Sequence, residues 1–253
     1  MKNIFKKIKS LVTGLKYDNT MGYETVAELP TATLGEPELL KQPDPFDLFL
    51  EATQNEMREK GVELYLKNTI HVRMPDEVGD LTGMPCSGWF TETPKLMFAV
   101  GMAKPFEQWA LVYVHEFGHF TQWRDQIPEW QGVTIDGLYY DNFLNHWLER
   151  GLHFAPWKVD KFINAIIAVE ADCERRAIKL IEEYELPFDT EEYAQKANAY
   201  VHFYNYIREN KKWYIAGKEP YHIPEVYSQF NTTIDDDFST SWEYIDLYDK
   251  YCF

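Results

Sequence analysis

One nine-residue stretch constrains this chain more than any other: Val112-Tyr113-Val114-His115-Glu116-Phe117-Gly118-His119-Phe120. Two histidines stand four apart, a glutamate directly follows the first, and every neighbour is uncharged. On a helix, residues four apart point the same way, one turn above the other. Two imidazoles so placed grip one zinc ion, and the glutamate between them takes a proton from a water bound there. The apolar flanks mark the helix as buried, where two imidazoles and a carboxylate are costly unless they are paired or hold a cation. His115 and His119 are therefore expected to ligate Zn2+, with Glu116 as general base. A third ligand, outer partners, a strand for substrate and a donor for a developing oxyanion remain to be found.

The third ligand decides the class of site. A chain that turns back just after the second histidine would bring in Asp125, but Gln122 stands where glycine would ease that turn. His146 and His153 are further candidates, each without a helical partner. The stronger candidate is Glu170, in Val169-Glu170-Ala171-Asp172-Cys173-Glu174-Arg175-Arg176-Ala177. It shares a helical stripe with Ile163, Ile166 and Ile167, and a glutamate on an apolar face needs a cation. Glu174, one turn on, is placed to accept a hydrogen bond from the non-ligating nitrogen of a metal-bound histidine. The competing reading is a solvated face of i,i+4 ion pairs between these glutamates and arginines.

The surrounding pattern is α+β. Asp44 and Pro45 open a helix over about 45–60, as N-cap and first helical residue. Short β-rich runs follow at 62–67, 69–74, 87–91 and 95–101, with a loop at 75–85. Pro105 opens the helix carrying the histidines, to about Trp123. An irregular stretch over 125–140 precedes a short helix at 141–150. Pro156 opens a long helix to about Tyr184, and Thr190 caps another to about Ala216. Beyond that, only a helical turn near Glu225 is expected. A small, mostly antiparallel sheet should shield the metal helix, with Ser87-Gly88-Trp89-Phe90 as the edge that pairs with an extended substrate. On the helix from Thr190, Asn198, His202 and Asn205 share a polar face. His202 and Tyr200 are the candidate oxyanion donors. Cys86, beside the edge strand, is either a thiolate that masks the metal or a bland buried cysteine.

A net charge of −16 excludes nucleic-acid binding through a basic surface. Three scattered cysteines make no disulfide framework and suit a reducing compartment. No apolar run of about eighteen residues is present, so no transmembrane segment is expected. Residues 1–16 carry five lysines, no acid and an apolar stripe at helical spacing (Ile4, Phe5, Ile8, Leu11, Val12, Leu15). They read as an amphipathic arm able to anchor the chain to a partner or assembly, not as a secretory signal. Residues 17–42 read as a linker, which leaves one domain over 43–253. The Asp235–Asp237 run reads as a solvated acidic turn.

The two histidines on one helix, with a glutamate and a polar partner four residues on from a later helix, resemble the gluzincin branch of zinc peptidases. The spacing Glu170-x-Asp172-Cys173-Glu174-x-x-Ala177 is similar to a segment of the repressor-cleaving metallopeptidases of phages, with Cys173 for alanine and Glu174 for asparagine. With Gly88-Trp89-Phe90, Phe120-Thr121-Gln122-Trp123, Ala197-Asn198-Ala199-Tyr200 and Lys212-Trp213-Tyr214, the chain over about 60–230 also resembles putative metallopeptidases of tailed phages. The resemblance implies a zincin-like fold and a viral source, in the host cytoplasm or on the virion. It implies zinc held by His115, His119 and Glu170, Glu116 as base, and a peptide or protein substrate. The alternative is a virion-associated structural protein whose zinc is structural or absent. Glu116 favours the enzyme; the amphipathic arm favours the alternative.

Overall fold

The computed structural model describes residues 44–76, 78–239 and 244–253. The chain divides into Met1–Gln42 and Pro43–Phe253, and everything below concerns the second unit. The amphipathic arm over 1–16 and the linker over 17–42 lie outside the described residues.

Helix α1 (Pro45–Glu59) begins where Asp44 Oδ1 accepts the Phe46 amide at 2.8 Å. It leads into β1 (Glu63–Lys67), and the chain continues through β2 (Val72–Arg73), β3 (Pro85–Cys86), β4 (Gly88–Thr91) and β5 (Met97–Gly101). The central sheet has the order β1-β5-β4. Strand β5 is buried along its whole length, as its Met-Phe-Ala-Val-Gly sequence requires of a middle strand. It pairs parallel with β1 and antiparallel with β4. The expectation of a mostly antiparallel sheet is corrected here: the sheet that carries the site is mixed, because β1 enters it from α1 in the same direction as β5. The expected strand over 69–74 shrinks to β2, which pairs with β3 in a separate two-stranded ribbon.

Helix α2 (Phe106–Asp125) lies across the sheet. Tyr113 packs on Phe98, and Phe120 on Phe90. On its other side, Phe117 meets Phe49 of α1, and the Tyr113 hydroxyl lies 2.8 Å from that of Thr53. Beyond it come α3 (Pro128–Gln131), a β6–β7 hairpin (Thr134–Ile135, Leu138–Tyr139), α4 (Tyr140–Leu144) and a π-helical turn at Asn145–Glu149. The stretch over 125–140 is thus more regular than its composition suggests.

Helix α5 (Pro156–Glu183) packs on α2 with its second half and on α6 (Thr190–Asn210) along most of its length. Phe162, Ile163 and Ile166 of α5 join Phe143, Phe203, Tyr206 and Tyr248 in a second core. Helix α6 stops at Asn210, short of the expected Ala216, because Lys211 turns left-handed at φ 50°. A 3-10 turn (Pro220–His222), α7 (Pro224–Tyr227) and α8 (Ile245–Tyr251) complete the described chain. The architecture is mixed α and β, with a small sheet and a larger helical part.

Contact between α2 and α5 depends on one residue. A Cβ at Gly118 would stand 2.8 Å from Cys173 Sγ and 3.2 Å from Cys173 O. Gly118→Ala is therefore expected to wedge the two helices apart and destabilise the protein by about 1–3 kcal/mol, read as a lower urea midpoint at unchanged slope.

Candidate metal centre

Helix α2 presents His115 and His119 one turn apart, their ring centroids 4.7 Å from each other. Helix α5 lies alongside and presents Glu170 and Glu174 to them. Three of the four are buried, Glu170 at 3% exposed and His119 and Glu174 at 5% each, while the His115 side chain is 20% exposed. Glu170 Oε2 stands 3.6 Å from His115 Nε2 and 3.7 Å from His119 Nε2. These separations are too long for hydrogen bonds. They fall within the roughly 4.2 Å that two atoms bonded to one zinc can span, each bond being about 2.0–2.1 Å.

Outer contacts set which nitrogen of each ring carries its hydrogen. Gln122 Nε2 donates to Val169 O at 2.7 Å and to Asp172 Oδ2 at 2.9 Å. Its Oε1 is therefore the atom 2.8 Å from His119 Nδ1, which must donate to it. His119 Nε2 is left with its lone pair turned toward Glu170. On the other ring, His115 Nδ1 donates to Glu174 Oε1 at 3.1 Å, and the Tyr193 hydroxyl of α6 donates to Glu174 Oε2. His115 Nε2 thus also faces Glu170. Once His115 gives up its second proton, two lone pairs and a carboxylate oxygen face one another, an arrangement that suits a cation.

The two imidazoles differ in charge. Burial, reinforced by His115, pushes His119 down to about 3, so it is neutral. Burial works against a proton on His115 as well, but Cys173 and Glu174 outweigh it and hold the imidazole well above its ordinary range. Burial pushes the Cys173 thiol up to about 12, so it is uncharged and the lasting support for that proton is Glu174. A proton on His115 is what a bound metal ion displaces.

The chain offers two overlapping donor sets, His115 with Glu170 and Glu174, and His115 with His119 and Cys173. Cys173 Sγ contacts His115 O at 3.1 Å and sits 3.8 Å from Nδ1, the side of the ring already given to Glu174. Glu170, facing both Nε2 atoms, is the better third donor. Neither set is His115 with His119 and Glu170; that grouping rests on Glu170 Oε2 standing 3.6 Å and 3.7 Å from the two Nε2 atoms, while Glu174, Gln122 and Tyr193 hold the rings from outside.

Glu116, 8% exposed, faces the sheet. A Cβ on Gly88 would stand 3.0 Å from Glu116 Cγ and 2.6 Å from Val112 Cγ1, so only glycine lets β4 cross the helix here. Strand β4 is the sheet's edge. Its outward amide and carbonyl groups can pair with an extended peptide.

The other expected residues divide. The Tyr200 hydroxyl is pushed up by burial and next by the charge of Glu170, and it lies 2.6 Å from that of Tyr204. His202 is not brought to the site. It is 1% exposed and bonds Asp235 Oδ2 at 2.8 Å, among Phe230, Phe238 and Tyr244. Asp125 pairs with Arg124 and Arg176 at the end of α2. His146 lies 3.4 Å from Arg150, and His153 is exposed. Cys86 is half-buried beside Val72, and the three cysteines form no disulfide. Asp235 is held by His202 and Asn231, whereas Asp236 and Asp237 are exposed as an acidic turn would be.

Sequence reasoning missed Gln122 and Tyr193. Gln122 carries a local signal, since three residues beyond His119 on a helix is within reach. Tyr193 carries none, because its partner is on a different helix. No helix among the described residues is long and apolar enough to cross a membrane. Comparison with models of protein families, with curated proteins and with solved structures finds no match to any of them.

Proposed function

We propose that this chain is a zinc-dependent metallopeptidase of zincin-like fold, related to the gluzincins and to the peptidases of tailed phages. The observation that carries the reading is the convergence of His115 Nε2, His119 Nε2 and Glu170 Oε2, with Glu116 on the same helix under an edge strand. Two imidazoles and one carboxylate also suit iron(II). A carboxylate directly after the first ligand favours hydrolysis, since a purely structural or redox site has no use for a base there.

Bound zinc supplies Lewis-acid polarisation of the substrate carbonyl and a water acidified toward neutrality. Glu116 takes the proton of that water and passes it to the leaving amine. Edge strand β4 holds the substrate backbone extended beside Glu116. Tyr200, kept protonated by burial and by Glu170, is the candidate donor to the developing oxyanion.

The test is metal analysis of the purified full chain, followed by digestion of a peptide library with the zinc-loaded protein. The expected outcome is one zinc per chain and cleavage that a chelator abolishes and zinc restores. Stoichiometric zinc with no peptide cut would instead favour a virion-associated protein with structural zinc.

A further inference from the structure

Beside the crossing of β4 over Glu116 stands a cation that neither metal binding nor proton transfer uses. Lys104 lies on the loop between β5 and α2, half-buried, and its Nζ donates to Ser87 Oγ at 2.6 Å. Ser87 immediately precedes Gly88, the residue that rests on Glu116. The ammonium is thereby fixed one residue from the strand position over the candidate base.

The chain carries 41 acidic residues against 25 basic ones, yet among the described lysines only Lys158 and Lys196 hold a carboxylate. Lys158, Arg124, Arg176 and Lys196 each hold one at 3.2 Å or less. Lys104 makes no such pair among the described residues. Burial lowers its pKa, and the largest opposing influence is the charge of Glu219. Glu219 itself accepts the Gly217 amide at 2.9 Å and faces His222 at 3.5 Å. Its neighbour Tyr221 packs on Tyr200, so the turn whose charges reach Lys104 also borders that tyrosine.

Strand direction tells which end of a substrate would meet Lys104. Gly88 sits at Glu116, and Phe90 sits at Phe120 and Trp123, so β4 runs alongside α2 in the same direction. A peptide added antiparallel to β4, the more stable pairing, has its C-terminal part at Ser87. We infer that Lys104, oriented by Ser87, is the carboxylate-binding group of the substrate cleft, and that the peptides taken here carry an acidic group on the C-terminal side of the cleaved bond. That group is either a Glu or Asp side chain or the free C-terminal carboxylate. The inference rests on the peptidase reading.

The test uses the full-length, zinc-loaded Glu116→Gln protein as a non-cleaving receptor. Its probes are fluorescent heptapeptide pairs that differ only by Glu for Gln at each position, or by free acid for amide at the C-terminus. Acidic members on the C-terminal side should bind about tenfold more tightly than their neutral partners, the worth of one charge-assisted hydrogen bond. The Glu/Gln pairs and the acid/amide pairs separate the two sources of the carboxylate. Adding Lys104→Met should abolish the preference, Lys104→Glu should reverse it toward lysine-bearing peptides, and Glu219→Gln should enlarge it. Equal binding within pairs, a preference that survives Lys104→Met, one confined to the N-terminal side, or no binding at all would overturn the assignment. Cleavage by the wild type without acidic preference would remove this subsite and keep the peptidase. The binding preference without any cleavage would do the reverse.

Discussion

Replacing Glu170 with alanine is expected to strip the metal while leaving the fold in place. The carboxylate is 3% exposed, and its Oε2 stands 3.6 Å and 3.7 Å from the two imidazole Nε2 atoms. Alanine removes the oxygen that faces both. The histidines stay oriented, because Gln122 and Glu174 hold them independently of Glu170. Two ligands are then left where three converged. Zinc affinity should fall by more than the roughly 10–100-fold that an outer partner commands. Competition with a chelating dye reads this directly. Melting with and without zinc reads it again, since an ion at a hundred times its Kd stabilises by about 2.7 kcal/mol. Wild type should gain on that scale, and Glu170→Ala should gain nothing. Glu170→Gln, which keeps the volume and loses the charge, should fall between the two. If these glutamates only formed a solvated ion-pair face, the alanine variant would bind zinc as the wild type does.

How far the site could be read in advance follows from the range of each contact. His115 and His119 lie one helical turn apart, and helical spacing alone sets them on one face, with Glu116 beside them. Glu170 and Glu174 were also legible, because a glutamate on an apolar stripe poses a local electrostatic problem that helical periodicity exposes. The relation of one helix to the other was not. It depends on Gly118 admitting Cys173 and on Gln122 reaching Val169 O, contacts between residues some fifty positions apart.

The polar face of α6 shows the converse. Asn198, His202 and Asn205 read as one polar face, with His202 a candidate donor, and what lies against that face is the segment over 231–238. Asn198 Nδ2 donates to Asn231 O and Thr233 O, Asn205 Nδ2 donates to Phe238 O, and His202 meets Asp235. The two asparagines satisfy carbonyls of an irregular segment that has no secondary structure to do so. A polar stripe on a helix announces that something polar lies against it, and periodicity does not say whether that is a substrate or a loop. Helix α8 was hidden for a different reason. Its Tyr- and Asp-rich sequence has little helical amphipathicity, and it is held by Tyr248, fully buried with its hydroxyl on Ala199 O at 2.9 Å. The parallel pairing of β1 with β5 was out of reach for want of any local turn signal, since 29 residues separate the strands.

Glu116→Gln should separate metal binding from catalysis, and it carries the second large effect. Glutamine has the volume of glutamate, so the close approach of Gly88, 3.0 Å from a built Cβ to Glu116 Cγ, is preserved. Glu116 is not among the donor atoms that converge, so zinc content should remain at one per chain. The amide lacks the basic oxygen that receives a proton from water and returns it to the leaving amine. Turnover of any peptide that the wild type cuts should therefore fall by about 10²–10⁴-fold, the usual contribution of a positioned general base, with KM little changed. Glu116→Asp should recover part of the rate. It restores the carboxylate but withdraws it by one methylene, and proton transfer depends on reach before acidity. A glutamine variant with full zinc and wild-type turnover would place the base elsewhere. One that loses zinc as well would show that Glu116 supports the metal rather than the water.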